Sequence, residues 1–321
     1  MNCPSCGNSR SRTARSSGVK GLFPNSNANE RQCTKCGRKW KEYEKNPRLL
    51  YFDIETAPVR IEADVWDIWD VHIRPENVKE DWFVLGWAAK WVCHSYIYSY
   101  VLRPSEAKKG NDKRILKPLW DLFNQADIII GHNVDRFDVK KMNWRWIVND
   151  FEPPMPYKTV DTLKELAKVA APTSKSLDFV TKALNLNGKM KHRSGLFKEC
   201  KAGDGNALRE LRQYNEVDVT EGESLYLKLR PWMKSHPNMG LYYEDTEERC
   251  RNCGSTDLDY DREHPVRTSV NSFVCWTCKV CGAHGRTPES TRYETGEPGE
   301  DKADRAERLL NNRIKRETLM R

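Results

Sequence analysis

The sequence predicts an α/β central region between two small zinc-binding ends. Strand-like and helix-like apolar patterns alternate from about residue 48 to residue 236, which favours helices packed on a sheet. Nine of the eleven cysteines lie outside that region. A chain of 321 residues is long enough for one domain of about 150–200 residues with smaller appendages.

The central region divides into short apolar segments and longer periodic ones. Apolar and β-branched residues predict strands at 49–54, 83–91, 95–102 and 128–131. Helical spacing predicts helices at 114–125, 139–149, 162–170, 176–184 and 206–229. The polar, glycine-containing stretch 187–205 is expected to form a mobile loop. We expect most tryptophans of this region to be core residues and single out none of them.

The N-terminal cysteines form two CxxC pairs with a glycine after each pair. The four cysteines are Cys3, Cys6, Cys33 and Cys36. Each CxxCG turn can direct two thiolates to one tetrahedral ion, and the glycine permits the positive φ of the turn. The pattern therefore predicts a four-thiolate structural zinc site, with disulfides as the less favoured alternative.

The C-terminal end holds five cysteines for four coordination positions: Cys250, Cys253, Cys275, Cys278 and Cys281. Only Cys278 and Cys281, followed by Gly282, repeat the CxxCG pattern of Cys250 and Cys253. These four are predicted to bind a second zinc ion, with Cys275 as the alternative to Cys278 and His284 as a weaker candidate ligand. Because closed four-cysteine sites leave no open position, both zinc ions are expected to be structural.

Charge is concentrated at the N-terminus. Residues 1–48 contain eleven Lys and Arg against three Asp and Glu, and the whole chain has a net charge of +8. A basic appendage of this kind is typical of a protein that binds a polyanion. The alternative is that these charges only keep a protein-docking module in solution.

Several classes of protein are excluded by what the sequence lacks. No apolar run approaches the ~18 residues that would span a bilayer, and the first residues contain no apolar stretch of a secretory signal. We therefore expect a cytoplasmic protein, in the host cytoplasm if it is encoded by a phage. The sequence also contains no Walker-type phosphate loop, so ATP use is not expected.

Four carboxylates lie on three predicted elements, either at an element end or on one face of a helix. Asp53 and Glu55 are two residues apart on the first strand and so share one face. Asp138 precedes a helix, and Tyr214 and Asp218 are four residues apart on the long helix. Such oxygen ligands suit Mg²⁺ or Mn²⁺. Two ions of this kind could clamp the attacking and leaving oxygens of a phosphodiester.

These acids lie in three motifs: FDIET at 52–56, GHNVDRFD at 131–138 and YNEVD at 214–218. In their order and spacing the sequence resembles the tyrosine subclass of the DEDD 3′→5′ exonucleases, including the exonuclease domains of family-B DNA polymerases and free-standing phage exonucleases. Segments 160–167 and 175–186 resemble the region between the motifs. The resemblance covers about 49–235 and implies an RNase H-like fold with a mixed sheet.

The resemblance also implies a role for each site residue. Asp53 would bridge two Mg²⁺ or Mn²⁺ ions, Glu55 and Asp218 would hold the ion that activates water, and Asp138 would hold the second. Tyr214 would orient the attacking water. The substrate-binding candidates are His132, Asn133 and Phe137; His132 could equally be a turn residue.

Two neighbouring acids are set aside. Asp135 lies in the second motif but lacks the preceding phenylalanine of the family pattern, which Asp138 has. Asp161 precedes a predicted helix and is expected to cap it.

The predicted organisation is therefore a basic zinc ribbon at 1–47, an exonuclease domain at 48–236, a second zinc ribbon at 237–290 and a charged helix or tail at 291–321. The predicted function is metal-dependent 3′→5′ hydrolysis of single-stranded DNA in replication or repair. The predicted protein partner is a DNA polymerase or another replication protein. An RNA-trimming or structure-specific nuclease is the alternative enzyme. A non-catalytic zinc-ribbon adaptor, which would bind nucleic acid or dock a partner, is the alternative without catalysis.

Overall fold

A computed structural model describes residues 11–13, 28–33, 39–43, 47–65, 73–186, 192–243 and 247–290. In the first three of these ranges it describes the backbone alone. Cys3, Cys6 and Cys36 lie outside the described residues, as does the predicted C-terminal tail, and only the backbone of Cys33 is described. The predicted N-terminal zinc site therefore stays a prediction.

The described chain contains thirteen strands, seven α-helices and three short 3₁₀-helices. The strands are β1 Ser11–Thr13, β2 Ala28–Cys33, β3 Lys39–Tyr43, β4 Leu49–Thr56, β5 Arg60–Ile61, β6 Val78–Glu80, β7 Val84–Trp91, β8 Ile97–Val101, β9 Ile128–Gly131, β10 Lys158–Asp161, β11 Leu258–Arg267, β12 Ser272–Cys278 and β13 His284–Ser290. The α-helices are α1 Pro104–Lys109, α2 Lys113–Phe123, α3 Asp138–Ile147, α4 Thr162–Val169, α5 Leu177–Ala183, α6 Leu196–Lys201 and α7 Gly205–Leu229. The 3₁₀-helices are Pro75–Asn77, Arg230–Trp232 and Met239–Tyr242.

A mixed five-stranded sheet organises the central region, with strand order β10-β9-β4-β7-β8. Strands β10, β9 and β4 run parallel, whereas β4, β7 and β8 are joined antiparallel. Three-stranded antiparallel sheets, β1-β2-β3 and β11-β12-β13, lie toward the two ends of the chain.

Helices cover both faces of the central sheet, and strand β4 contributes to both cores. Its residues Leu50, Phe52 and Ile54 join one buried cluster with α2, α3, α6 and the start of α7. Leu49 and Tyr51 point to the opposite face and pack against α4, α5 and the later part of α7. This alternation follows from the two-residue period of a strand.

Polar contacts also hold helix α7 across the sheet. Glu223 forms an ion pair with Lys90 of β7 and accepts the backbone N–H of Cys93 at 2.6 Å. About three turns earlier on the helix, Arg212 donates to both Glu216 and Ser99 of β8, at 2.9 Å each. The position of α7 on the sheet is therefore fixed by polar contacts along much of its length.

Most of the predicted elements are confirmed within a few residues at their ends. Three findings differ from the sequence-based expectations. Strand β10 extends the sheet just before α4; helix α1 was not predicted; and part of the expected loop 187–205 forms helix α6. Among the tryptophans of this region, Trp146 is buried whereas Trp144 is 48% exposed. Strand β10 and helices α1 and α6 are short, and such elements are stabilised by packing against their neighbours, which local sequence propensity does not report.

Helix α7 packs tightly against β4 at Gly222, where an added Cβ would lie 2.0 Å from the buried Tyr51 hydroxyl oxygen. We expect Gly222→Ala to destabilise the protein by about 1–3 kcal/mol or more, because the helix or the ring must move. Thermal and urea unfolding will measure this. Gly205→Ala at the start of the same helix meets only atoms at 3.8 Å and should be neutral; equal losses in both variants would contradict the explanation.

Candidate metal sites

The first pair of carboxylates lies at the end of β4. Asp53 and Glu55 alternate with the buried Phe52 and Ile54, so their side chains leave the sheet on the face that carries Tyr51. Both carboxylates are half-buried. The strand therefore presents a phenol and two acids in a row beneath helix α7.

The facing row comes from helix α7. Tyr214, Asp218 and Gly222 are spaced by four residues and so share one face of the helix. Tyr214 and Asp218 are buried, with 3% and 1% of their surface exposed. Because Gly222 lets the helix approach β4, the carboxylate of Asp218 reaches the strand acids.

The structure brings three of the four predicted acids into one group. Candidate ligand atoms of Asp53, Glu55 and Asp218 all lie within 4.8 Å of one another. Three carboxylates at this separation repel one another, and oxygen donors of this type suit a hard divalent cation. The donor set therefore fits the predicted Mg²⁺ or Mn²⁺.

Asp138 lies beside this group but is not one of its three members. Its Oδ1 accepts the backbone N–H of Ile54, between the two strand acids, at 3.2 Å. Burial raises the pKa of Asp138 to about 7, which the hydrogen bond from Ile54 partly opposes. The first residue of α3 thus adds a fourth carboxyl group next to the strand.

Asp161 ties the second motif to helix α4. Its carboxylate caps α4 through the N–H groups of Leu163 and Lys164, at 3.1 and 3.4 Å, as expected from the sequence. It also accepts the N–H of Asn133 at 2.9 Å, and Asn133 has a left-handed φ of 65°. Asp135 forms an ion pair with Lys164 at 2.8 Å, on the outside of this turn.

The three predicted substrate-binding residues have different surroundings. Both ring nitrogens of His132 contact the protein, with Nδ1 2.9 Å from the Thr162 hydroxyl and Nε2 2.8 Å from the Lys175 carbonyl. This geometry is what a turn residue would show. Asn133 is half-buried, and the Phe137 ring is exposed directly before Asp138.

Two further residues belong to the site and were not singled out from the sequence. Asn215 donates from Nδ2 to Asp53 Oδ2 at 2.6 Å. Tyr51 lies among the acids, and burial together with Asp53 and other nearby carboxylates raises its pKa well above the ordinary value. The sequence contained a signal for each residue. Asn215 directly follows Tyr214 in the third motif, and Tyr51 lies two residues before Asp53 and so shares its face of the strand.

The C-terminal cysteines form a second candidate metal site. The sulfurs of Cys250, Cys253, Cys278 and Cys281 lie within 4.8 Å of one another. Both CxxCG turns have the predicted geometry, because Gly254 and Gly282 have φ angles of +80° and +77°. Two candidates lie outside the group, Cys275 in the middle of β12 and His284, whose Nδ1 is 2.9 Å from the Thr277 hydroxyl.

The chemistry of these thiols fits a zinc ion. A hydrogen bond from Cys253 lowers the pKa of Cys250 to about 5, and the same contact raises the pKa of Cys253. Burial raises the pKa of Cys281 to about 11. Without a cation the first thiolate thus opposes formation of the next, whereas a divalent cation would stabilise all four.

The cysteine cluster is attached to the end of α7. The Asn252 side chain, inside the first CxxC turn, donates to the carbonyls of Arg230 and Met233 at 2.7 and 3.3 Å. The N–H of Met239 donates to the carbonyl of Arg251 at 2.8 Å. The first turn therefore sits against the C-terminal end of the helix that carries Tyr214 and Asp218.

The match to a known family lies within the central region. Residues 91–230 match the RNase_H_2 model of the RNase_H superfamily. The central region has an RNase H-like fold. The matched range contains Asp138, Tyr214 and Asp218 and begins after strand β4, which carries Asp53 and Glu55.

Among solved structures, the family B DNA polymerase from the hyperthermophilic archaeon Pyrobaculum calidifontis matches with a TM-score of 0.44 and 19% sequence identity. The match covers 60% of this chain and 26% of the polymerase, so the chain corresponds to about a quarter of the polymerase's length. No curated protein sequence matches the chain. Within the described residues, no helix is long and apolar enough to cross a membrane.

The Asn215 contact predicts an effect on cation binding at the RNase H-like site. Because its amide orients Asp53, we expect Asn215→Ala to weaken binding of Mn²⁺ by about 10–100-fold. Isothermal titration calorimetry on zinc-replete protein will measure this. Asn206→Ala, at an exposed position of the same helix, is the control; equal affinities in the two variants would show that Asp53 needs no such support.

The cysteine geometry predicts which thiols hold zinc. We expect Cys278→Ser to lose one equivalent of zinc relative to the unsubstituted chain, whereas Cys275→Ser keeps it, because only Cys278 belongs to the four-sulfur group. Atomic absorption on purified full-length protein will count the ions. Zinc loss in Cys275→Ser without loss in Cys278→Ser would reverse the assignment.

Proposed function

We propose that the protein is a metal-dependent 3′→5′ exonuclease that hydrolyses single-stranded DNA. The observation that carries this proposal is the group of Asp53, Glu55 and Asp218, whose ligand atoms lie within 4.8 Å of one another. Its acids come from two distant parts of an RNase H-like region and face each other across a strand and a helix. The resemblance of the three motifs to the tyrosine subclass of DEDD exonucleases supports the direction and the reaction.

Two cations would be held by the four acids. Asp53 would contact both ions, Glu55 and Asp218 one of them, and Asp138 the other. When bound, such ions activate a water molecule and stabilise the negative charge on the oxygens of the scissile phosphate. The contact between Asp138 and the N–H of Ile54 supports its place in this set.

The protein's own groups would position the reactants. Tyr214 lies one turn before Asp218 on the same face of α7, about 6 Å along the axis, where its hydroxyl could orient the attacking water by a hydrogen bond. The exposed Phe137 ring would stack on the terminal base, and Asn133 would contact the terminal nucleotide. Since both nitrogens of His132 already contact the protein, His132 would act by holding this turn.

The two zinc ribbons at the ends of the chain would bind DNA and dock a protein partner. We propose one structural zinc ion in each ribbon, held at the C-terminal end by Cys250, Cys253, Cys278 and Cys281. The basic residues of 1–47 would add contacts to the DNA phosphates, so binding should weaken with salt. A DNA polymerase or another replication protein is the proposed protein partner.

A gel assay tests the reaction. We expect zinc-replete protein with Mg²⁺ or Mn²⁺ to shorten 5′-labelled single-stranded DNA to a ladder receding from the 3′ end, and to do so less well on RNA. Asp53→Ala/Glu55→Ala and Asp138→Ala should each lower the rate by about a thousandfold or more, because cation stabilisation contributes several kcal/mol. Omitting the divalent cation, instead of chelating it, leaves the zinc sites loaded.

Asp135→Ala is the matched control for Asp138→Ala. It removes an acid three residues away that pairs with Lys164 at the surface, and it should keep nearly full activity. A folded, zinc-replete protein that cleaves no substrate with either cation would refute the stand-alone nuclease. Shortening of 3′-labelled strands from the 5′ end would refute the direction.

A further inference from the structure

The outer face of helix α3 is apolar where a surface helix is normally polar. Its exposed large hydrophobic residues, with exposed fractions of 39%, 48%, 64% and 44%, are Phe137, Trp144, Ile147 and Val148. The inner face of the same helix already packs Met142 and Trp146 into the core. The exposed residues are therefore not part of this buried cluster, and exposed apolar residues grouped on one face are candidates for a binding surface.

Two lysines lie among these residues. Lys140 and Lys141 follow Asp138 in the sequence of α3, and together with the four apolar residues they form what we call the α3 outer face. Lys141 Nζ lies 3.6 Å from the centroid of the Trp82 ring and 5.1 Å from that of Phe137. In the part of the chain that the structure describes, neither lysine pairs with a carboxylate; Asp81 and Asp135 act on them at longer range.

We propose that the α3 outer face binds single-stranded DNA and guides the strand to the acids at the start of the helix. This inference rests on the proposed nuclease function and extends it beyond the terminal nucleotide. Exposed aromatic rings next to cationic side chains are what a single strand needs, since bases stack on rings and phosphates pair with cations. An apolar protein partner would leave both lysine charges without a counterpart.

The α3 outer face adjoins the candidate active site, which also supports single-stranded DNA as its ligand. Phe137, at one end of the α3 outer face, directly precedes Asp138, the first residue of α3, so a strand lying along this face would end beside one acid of the candidate site. From Phe137 to Trp144 the axis rises by about 10 Å, and to Val148 by about 16 Å. At about 3.4 Å per stacked nucleotide, the face covers about three to five nucleotides.

The apolar character of the far end favours DNA over RNA. Ile147 and Val148 offer no hydrogen-bonding side chain, and a ribose 2′-hydroxyl placed against them would lose its contact with water. A deoxyribose has no such group, so it can pack there without that cost.

Binding is tested without cleavage. The background is the Asp53→Ala/Glu55→Ala protein, and the probe is a fluorescent oligodeoxythymidylate of about 12 nucleotides followed by anisotropy. We expect Trp144→Ala to weaken binding about tenfold, as the loss of one stacked base does. Trp232→Ala removes a tryptophan that is 70% exposed after α7 and should bind normally. Equal affinities of the two variants would overturn the proposal.

Salt dependence tests the lysines separately. Lys140→Ala/Lys141→Ala should lower the slope of log affinity against log salt by about 1.4, since each phosphate contact on a single strand contributes about 0.7. Lys108→Ala/Lys109→Ala, an adjacent exposed pair on α1, should leave the slope unchanged. An unchanged slope in the α3 variant would exclude phosphate contacts there.

Two further outcomes would overturn the assignment of the occupant. Oligouridylate of the same length should bind more weakly than the DNA probe, and equal or tighter binding would exclude DNA as the preferred ligand. If Trp144→Ala converts a dimer to a monomer in sedimentation while DNA affinity stays the same, the face is an interface between copies of the chain.

The failure of this inference can be told apart from that of the proposed function. With the acids intact, Trp144→Ala should raise KM for the oligonucleotide about tenfold while hydrolysis of bis(p-nitrophenyl) phosphate is unchanged. If nothing is cleaved but Trp144→Ala still weakens binding in the inactive background, the DNA-binding face stands and the nuclease fails. If the protein cleaves DNA but Trp144→Ala binds it as well as the unsubstituted chain does, the nuclease stands and the DNA-binding face fails.

Discussion

The packing of helix α7 across strand β4 is the constraint on which the rest of the structure depends. Tyr214, Asp218 and Gly222 form one face of the helix, and Tyr51 with the two strand acids forms one face of the strand. The two faces meet because Gly222 has no side chain where the Tyr51 hydroxyl must pass. A larger residue at position 222 would push Asp218 away from the strand, and the three acids would no longer lie close together.

This arrangement concentrates negative charge inside the protein. Three carboxylates lie within 4.8 Å of one another, and a fourth is buried beside them. Such a group costs free energy unless cations occupy it. Hydrogen bonds from the protein support two of these carboxylates: the Asn215 amide donates to Asp53 and the Ile54 N–H donates to Asp138. The ion pair between Lys90 and Glu223 helps to hold helix α7, which carries Asp218, on the sheet.

The two candidate metal sites differ in chemistry and share one helix. The carboxylate group is half-open and offers hard oxygen ligands, as a reacting centre needs, whereas four sulfurs form a closed set suited to a structural ion. The cysteine turn at 250–253 contacts the chain just after α7 through Asn252. A change in the geometry of the cysteine cluster would therefore reach the C-terminal end of the helix that carries Tyr214 and Asp218.

The sequence alone predicted most of the strands and helices, because periodicity is a local property. It also pointed to the three acids and the four C-terminal cysteines that the structure brings together. It did not determine strand β10 or helix α6, whose stability comes from neighbouring elements. Nor did it show that Asn215 supports Asp53, or that Trp144 faces solvent while Trp146 is buried. Only the tertiary structure decided these points, because contacts and exposure depend on which elements pack together, and a sequence does not record that directly.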